Sequence, residues 1–453
     1  MNIHSRNIYI LYLFLYISLL VGFYFNEDFA LGYKSDYVNY RYFISLFEKD
    51  YVNSLLNFDE LFGGFPSPVY IIFFSLLRKI SFNDTVLRLI VLHLSLLIPF
   101  FFYQSLKIKY DFKIKDIKFL LPAIIFFSPY FRSASIWAGH ENIALIFLSI
   151  SLYFFFKYEK TEKKKLAYIF FNTFFLALAA YIRPSYSLFG IYFFIRYYFD
   201  LNFSYKLLFY IFINILLSFP AIYYVFVLDV NFLSQFLLRG ENDVLLDFTL
   251  PAFVNQFSIT LTILFFYSTP FILSNIKKNF QINNFKNKNL ILPIIFLFLL
   301  IFYFNYNLPY GGGIFYKLSI LIFENNYLFY FFSVMSFYGL ILIFSNSLQN
   351  KETIFDFTLL LILILLDMDG VFYHETYDPL VYFIFFLLVK NKFYLNFTKK
   401  LTNKKFVLLS LFCIAFYALS ILKVLYSPPV ELPPYKIPET NFFNKAYIEQ
   451  STN

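Results

Sequence analysis

Asp36, the adjacent His140 and Glu141, Arg183 and the stretch DMDGVFYHETYDP (367–379) are the groups with chemistry to offer, because each abuts an apolar run. Charged side chains at membrane depth are costly, and those retained there tend to mark function. Asp59 and Glu60 stand in a bend broken by Gly63, Gly64, Pro66 and Pro68, and Lys317 follows a run of three glycines. The late stretch adds His374 and Asp378. Carboxylates so placed can take a proton or orient a hydroxyl, and a basic group can hold an anion. The bland alternatives are a local helix-end charge for Asp36 and an arginine snorkelling at the interface for Arg183.

The elements that must position these groups are hydrophobic helices. Of 453 residues, 60% are hydrophobic and 14% charged, with 71 Phe and 41 Tyr. Apolar runs recur along the whole chain, so the reading is an all-α polytopic membrane protein. With rings this common, single aromatics carry no functional signal. The net charge of +9 falls in blocks between apolar segments, not in a stripe suited to nucleic acid, and nucleic acid is not expected as a partner. Cys413 is the sole cysteine and the four histidines are scattered, so no disulfide or thiolate metal site is expected. The carboxylates leave a divalent cation open without specifying one, and no cofactor is expected.

Hydropathy predicts about 13 transmembrane helices, near 8–25, 85–106, 118–132, 138–157, 166–182, 186–199, 205–228, 255–276, 289–305, 327–345, 355–367, 379–390 and 406–425. The spacing forms a single transmembrane domain over 1–425, with a first outer loop over 26–84 and a polar, Pro-rich outer tail over 426–453. In the first loop Tyr40, Phe43, Phe47, Tyr51 and Leu55 recur at helical spacing, predicting an amphipathic surface helix capped by Ser35 with Asp36 in its first turn. Residues 69–77 are apolar but short, predicting a second surface or re-entrant helix. Basic blocks at 107–118, 157–165, 277–288 and 390–405 would share the inner side with the N-terminus, leaving the C-terminus outside. The location expected is a bacterial inner membrane, with the polar cluster on its outer face.

The segment PSPVYIIFFSLLRKISFNDTVLRLIVLHLSLLIPFFFYQSLKI, preceded by an acidic residue in the first outer loop, resembles the start of the GT-C superfamily of polyprenyl-phosphate-sugar-dependent glycosyltransferases. The matching residues are Asp36, Pro68, Tyr70, Asn83, Asp84 and Arg88. SPYFRSASIWAGHENIALIFLSISLYFF resembles the superfamily's hairpin with a polar group after the turn, here His140 or Glu141. The resemblance is one of spacing, mainly over 30–160, and the second acid expected beside Asp36 is absent: Tyr37 follows it. It implies a GT-C-like bundle and inverting transfer of a sugar from a polyprenyl-phosphate donor to a lipid, glycan or protein acceptor. Asp36 and Glu141 would be catalytic, with Asp36 the base. Arg183 would bind the donor phosphate, since a guanidinium matches phosphate bidentately, with Lys317 or Arg132 as alternatives. Asp59, Glu60, His140, Lys317, His374 and Asp378 would bind substrate, and membrane lipids would surround the whole. The competing classes are a flippase or polymerase for polyprenyl-linked glycans, an ion-coupled transporter, and a non-catalytic scaffold. A transporter would carry charges deep within its spans rather than at one edge.

Overall fold

The structure is a computed structural model that describes residues 3–57, 67–80, 83–112, 116–161, 165–226, 249–274, 291–308, 311–345, 352–367 and 372–426. Among the described residues the fold is all-α. Among the described residues five helices are long and apolar enough to cross a membrane: Asp84–Tyr110, His140–Lys160, Tyr205–Tyr223, Leu250–Ser274 and Asn403–Tyr426. Two bent pairs bring the number to at most seven. This overturns the expected bundle of about 13 transmembrane helices of GT-C type. The reason is length. Crossing needs about 20 residues at 1.5 Å each, whereas Leu166–Ile182 has 17 residues, Ile291–Tyr303 has 13 and Phe189–Leu201 has 13. Others are broken: Ile117–Phe127 is a 3-10 helix containing Pro122, and Pro129 opens a new helix bent 64° from it. A Phe-rich chain gives apolar windows whether or not the backbone runs on straight.

Helix His140–Lys160 is the axis of the bundle. It packs along Leu166–Ile182 on one side and Leu97–Tyr110 on another, and two thirds (67%) of its apolar window is buried within the protein. Tyr205–Tyr223 and Asn403–Tyr426 lie at the periphery, with only 17% of each window buried. On the former, Leu208, Phe212, Ile215, Leu216 and Phe219 are exposed. So continuous an apolar face requires a non-aqueous neighbour.

In the first loop the chain forms Tyr33–Lys49 and then Tyr51–Leu56. The expected amphipathic helix is present, with two corrections. It begins at Tyr33 behind Gly32, which adopts φ 108°, so Ser35 lies inside the helix and does not cap it. Its buried stripe is Tyr33, Tyr37, Tyr40, Ile44 and Phe47, not 40, 43, 47, 51 and 55. Asp50 ends this helix and caps the next by accepting from the Asn53 N–H, so Tyr51 and Leu55 belong to a separate turn. Residues 69–77 fall in the helix Pro68–Arg78, whose 11 residues are too few to cross. The tail beyond 426 lies outside the described residues.

The two ends of the axial helix differ in chemistry. At its C-terminal end Glu159 pairs with Arg196 and with Lys390 Nζ at 3.6 Å. Lys109 Nζ donates to the carbonyls of Phe386 and Leu387 at 3.1 and 2.7 Å. The described parts of the basic blocks 107–118, 157–165 and 390–405 therefore meet at one end; 277–288 lies outside the described residues. The groups at the other end, about 27 Å away along the helix, form the site described next.

Candidate functional site

The axial helix starts at a turn that is held from three directions. Ala138 (φ 55°) and Gly139 turn the chain between Pro129–Ile136 and His140–Lys160. Tyr70 donates its hydroxyl hydrogen to the Ala138 carbonyl. Arg88 donates from Nε to the Ile136 carbonyl at 2.8 Å and lies over the Trp137 ring, 3.7 Å from its centroid. Trp137 Nε1 donates to the Glu27 carbonyl at 3.0 Å. Asn142 ties the two helices together by donating to the Phe131 carbonyl and to Ser135 Oγ, both at 2.9 Å. Gly139 leaves no room for a side chain without displacement. A Cβ there would stand 2.7 Å from Tyr33 Cε1, 2.8 Å from Ala134 Cβ and 2.9 Å from Glu141 Oε2.

The turn delivers His140 and Glu141 into the first helical turn, where the helix dipole favours a negative charge. His140 Nε2 lies 3.2 Å from Glu141 Oε1, and its Nδ1 is 3.0 Å from the Tyr40 hydroxyl. Glu141 Oε2 is buried and has no hydrogen-bond partner among the described residues. It belongs to a residue lining a small cavity of about 10 Å³, the space one water needs. Tyr33, Tyr130, Asn142, Tyr186, Glu375 and Asp378 share that lining. The Tyr33 hydroxyl and Asp378 Oδ1 are likewise buried without partners. The other carboxylate oxygen of Asp378 accepts from Ser128 Oγ at 2.7 Å.

Arg183 ends the helix Leu166–Ile182, because Pro184 cannot continue it and opens a 3-10 turn. Its Nη2 donates to Thr376 Oγ1 at 2.9 Å, and Thr376 donates in turn to Asp367 Oδ2 at 3.1 Å. Nη1 is buried and unpartnered. Burial opposes the charge on Arg183, but Tyr186, Glu141, Glu375 and Asp367 around it outweigh the burial and hold it above the ordinary arginine value. It is therefore cationic at any working pH. Tyr186 is pushed up to about 12 by burial, with Arg183 opposing and Glu141 reinforcing the shift, and stays protonated. Burial, aided by Glu141 and Glu375, likewise raises Tyr33. The hydroxyls are donors, not bases.

Of the residues expected from the sequence, Glu141 and Asp378 line this cavity, and Arg183 and His140 are tied to it. Asp36 is half-buried one turn before Tyr40; it acts electrostatically on Tyr40 and Tyr70 but does not line the cavity. His374 is buried beside it, with its ring stacked on Tyr130 and its Nε2 accepting from the Ile314 N–H at 3.1 Å. Lys317 is exposed on Gly313–Phe323 and is an electrostatic neighbour of His374. Asp59 and Glu60 lie outside the described residues. Arg132 is committed elsewhere: it makes a buried two-pronged pair with Glu27, both bonds at 2.6 Å. The polar lining residues not singled out from the sequence are Asn142 and Tyr33, Tyr130 and Tyr186, the last three indistinguishable among 41 tyrosines. Glu375 is visible as a late charge but carries no signal that places it beside Glu141.

Among the described residues no group of three or more His, Cys, Asp or Glu side chains could hold a metal ion. The chain matches no family model, and no curated protein or solved structure is significantly similar to it.

Proposed function

We propose that this cluster binds the sugar-phosphate head of a polyprenyl-phosphate donor and transfers the sugar, with inversion, to a hydroxyl of a lipid, glycan or protein acceptor. One observation supports the reading above all: buried acceptors at Glu141 Oε2 and Asp378 Oδ1 and a buried donor at Arg183 Nη1 stand unpaired around a single cluster. Leaving such groups unmade costs about 1–3 kcal/mol each, more when charged. A ligand carrying hydroxyls beside an anionic group would satisfy all three once the cavity, now of one water's volume, opens to admit it. The GT-C resemblance over 30–160 adds the lipid-linked donor.

In this reading Arg183 receives the donor phosphate, and Glu141 and Asp378 accept from sugar or acceptor hydroxyls. Asp36 is the base. The acceptor oxygen attacks the anomeric carbon as its proton passes to the Asp36 carboxylate. The bond from that carbon to phosphate oxygen breaks, and polyprenyl phosphate leaves with the electron pair. The polyprenyl chain lies along the apolar surface of the bundle. The basic blocks are read as facing the cytoplasm of a bacterial inner membrane, with the N-terminus inside, the C-terminus outside and the site on the outer face.

The test is transfer of radiolabelled sugar from total polyprenyl-phosphate donors in membranes holding wild type or D36N at equal, detergent-extractable levels. Asp36→Asn keeps shape and hydrogen bonding but cannot take a proton, so a loss of ~10²–10⁴ is expected. Wild-type membranes that transfer no more sugar than membranes lacking the protein overturn the transferase. Transfer in which D36N keeps more than about a tenth of the rate removes Asp36 as base and passes the role to Glu141.

A further inference from the structure

At the opposite end of the axial helix, the broken helical stretch His374–Leu388 turns through 88° into the eight-residue helix Lys392–Lys399. One face of this short helix is spent on the protein. Tyr394, Phe397 and Thr398 are buried, with Phe397 packed on Phe271 at a ring separation of 4.5 Å. The helix is therefore held in place, not dangling. Its other face and the residues after it expose Lys392, Lys399, Lys400 and Lys404, and Lys405 is half-buried. Between Leu380 and Val430 the chain contains no Asp or Glu. The next element, Asn403–Tyr426, is an apolar helix long enough to cross a membrane. A lysine-bearing helix lying across the direction of the span before it, and leading directly into another span, sits where a bilayer's head groups begin.

We propose that the helix Lys392–Lys399, with Lys400 and Lys404, is a docking surface for the phosphates of anionic phospholipids. Charge complementarity carries the assignment: four exposed ammonium groups stand within 13 positions with no acid among them. Lysines near a surface of anionic lipid each favour contact several-fold, and the attraction falls with salt. The lysines also differ from those inside the adjoining cluster. Lys109 is engaged by two carbonyls and Lys390 lies against Glu159, whereas Lys392 and Lys399 project from a helix whose buried side already anchors it. The surface would hold this end of the bundle at the head-group level irrespective of what is bound at Glu141.

The experiment uses the full chain in nanodiscs of equimolar phosphatidylglycerol and phosphatidylcholine, with the lipids retained after extraction counted by native mass spectrometry. Wild type should retain phosphatidylglycerol over phosphatidylcholine by ~tenfold, and the preference should fall several-fold in K392Q/K399Q/K400Q/K404Q. A control, K107Q/K160Q/K165Q, should keep the preference. Hydrogen exchange of 392–405 in wild type should be slower in phosphatidylglycerol than in pure phosphatidylcholine, and 0.5 M salt should narrow the difference to about nothing. This second readout stands even where the quadruple variant fails to fold. Equal retention of the two lipids by wild type, exchange that ignores lipid charge, or equal loss of preference in quadruple and control variants overturns the proposal.

Discussion

Substituting Gly139 by Ala moves Glu141 without altering its chemistry. The backbone at 139 (φ −63°, ψ 140°) is open to any residue, so the cost is purely one of space. The new methyl would stand 2.7 Å from Tyr33 Cε1, 2.8 Å from Ala134 Cβ and 2.9 Å from Glu141 Oε2. Each gap is several tenths of an ångström short of ordinary contact. Of the three neighbours only Glu141 ends in a flexible chain; the Tyr33 ring is buried and Ala134 Cβ is fixed to its helix backbone. Overpacking of this kind costs about 1–3 kcal/mol, and the least expensive relief swings the Glu141 carboxylate off its place. We therefore expect G139A to fold with stability lowered by about 1–3 kcal/mol and to lose ligand engagement at Glu141 beyond what that destabilisation explains. Replacing Ala134 by Gly removes one of the two rigid neighbours, so G139A/A134G should recover more than the single effects predict, a coupling of about 0.5–3 kcal/mol. The assay is reversible unfolding in mixed micelles for the four corners of the cycle. G139A with wild-type stability, or additive effects in the double variant, would refute the described packing of the turn.

Arg183→Lys keeps the charge but cannot both hold Thr376 and offer a second parallel donor; donor-dependent transfer should drop at least about tenfold, and near-normal turnover at saturating donor would take Arg183 out of the site. Glu27→Gln should destabilise by about 3–5 kcal/mol, because it leaves the Arg132 guanidinium buried without its counter-charge; it is read as the loss of detergent-extractable protein, and wild-type yield would contradict the pairing. His140→Phe should leave the fold intact while freeing both Tyr40 and Glu141 Oε1, seen as altered hydrogen exchange at 33–47; unchanged exchange there would deny the link.

How much of this could be read in the chain depends on the range of the interaction. The helix Tyr33–Lys49 was legible because its apolar period is local, although its phase was not: Asp50 as a cap for Tyr51–Leu56 competes with a single continuous helix, and the cap won. The chain-crossing count failed because composition alone makes windows apolar here, while length and breaks decide what crosses, as at Leu166–Ile182 and Pro129. Glu141, Asp378 and Arg183 could be nominated as charges beside apolar runs. Their convergence could not, since it depends on contacts such as Ser128 to Asp378, 250 positions apart. The pairing of Glu27 with Arg132 was invisible for the same reason, and it withdraws from function an arginine that the sequence alone offers as a phosphate ligand.

The π-helical segment Ile384–Leu388 has a consequence for how the chain is completed. Its helix ends at Leu388, so its last carbonyls find no partner within it, and here Lys109 and Tyr110 serve Phe386, Lys109 also serves Leu387, and Tyr192 serves Leu388. All three donors are made long before their acceptors. During synthesis a lysine and two tyrosines therefore wait in an apolar bundle for a segment that emerges almost 200 or more residues later. This segment is thus not an appendage to a finished fold but its keystone: until it arrives, Lys109 Nζ lacks both of its carbonyl partners.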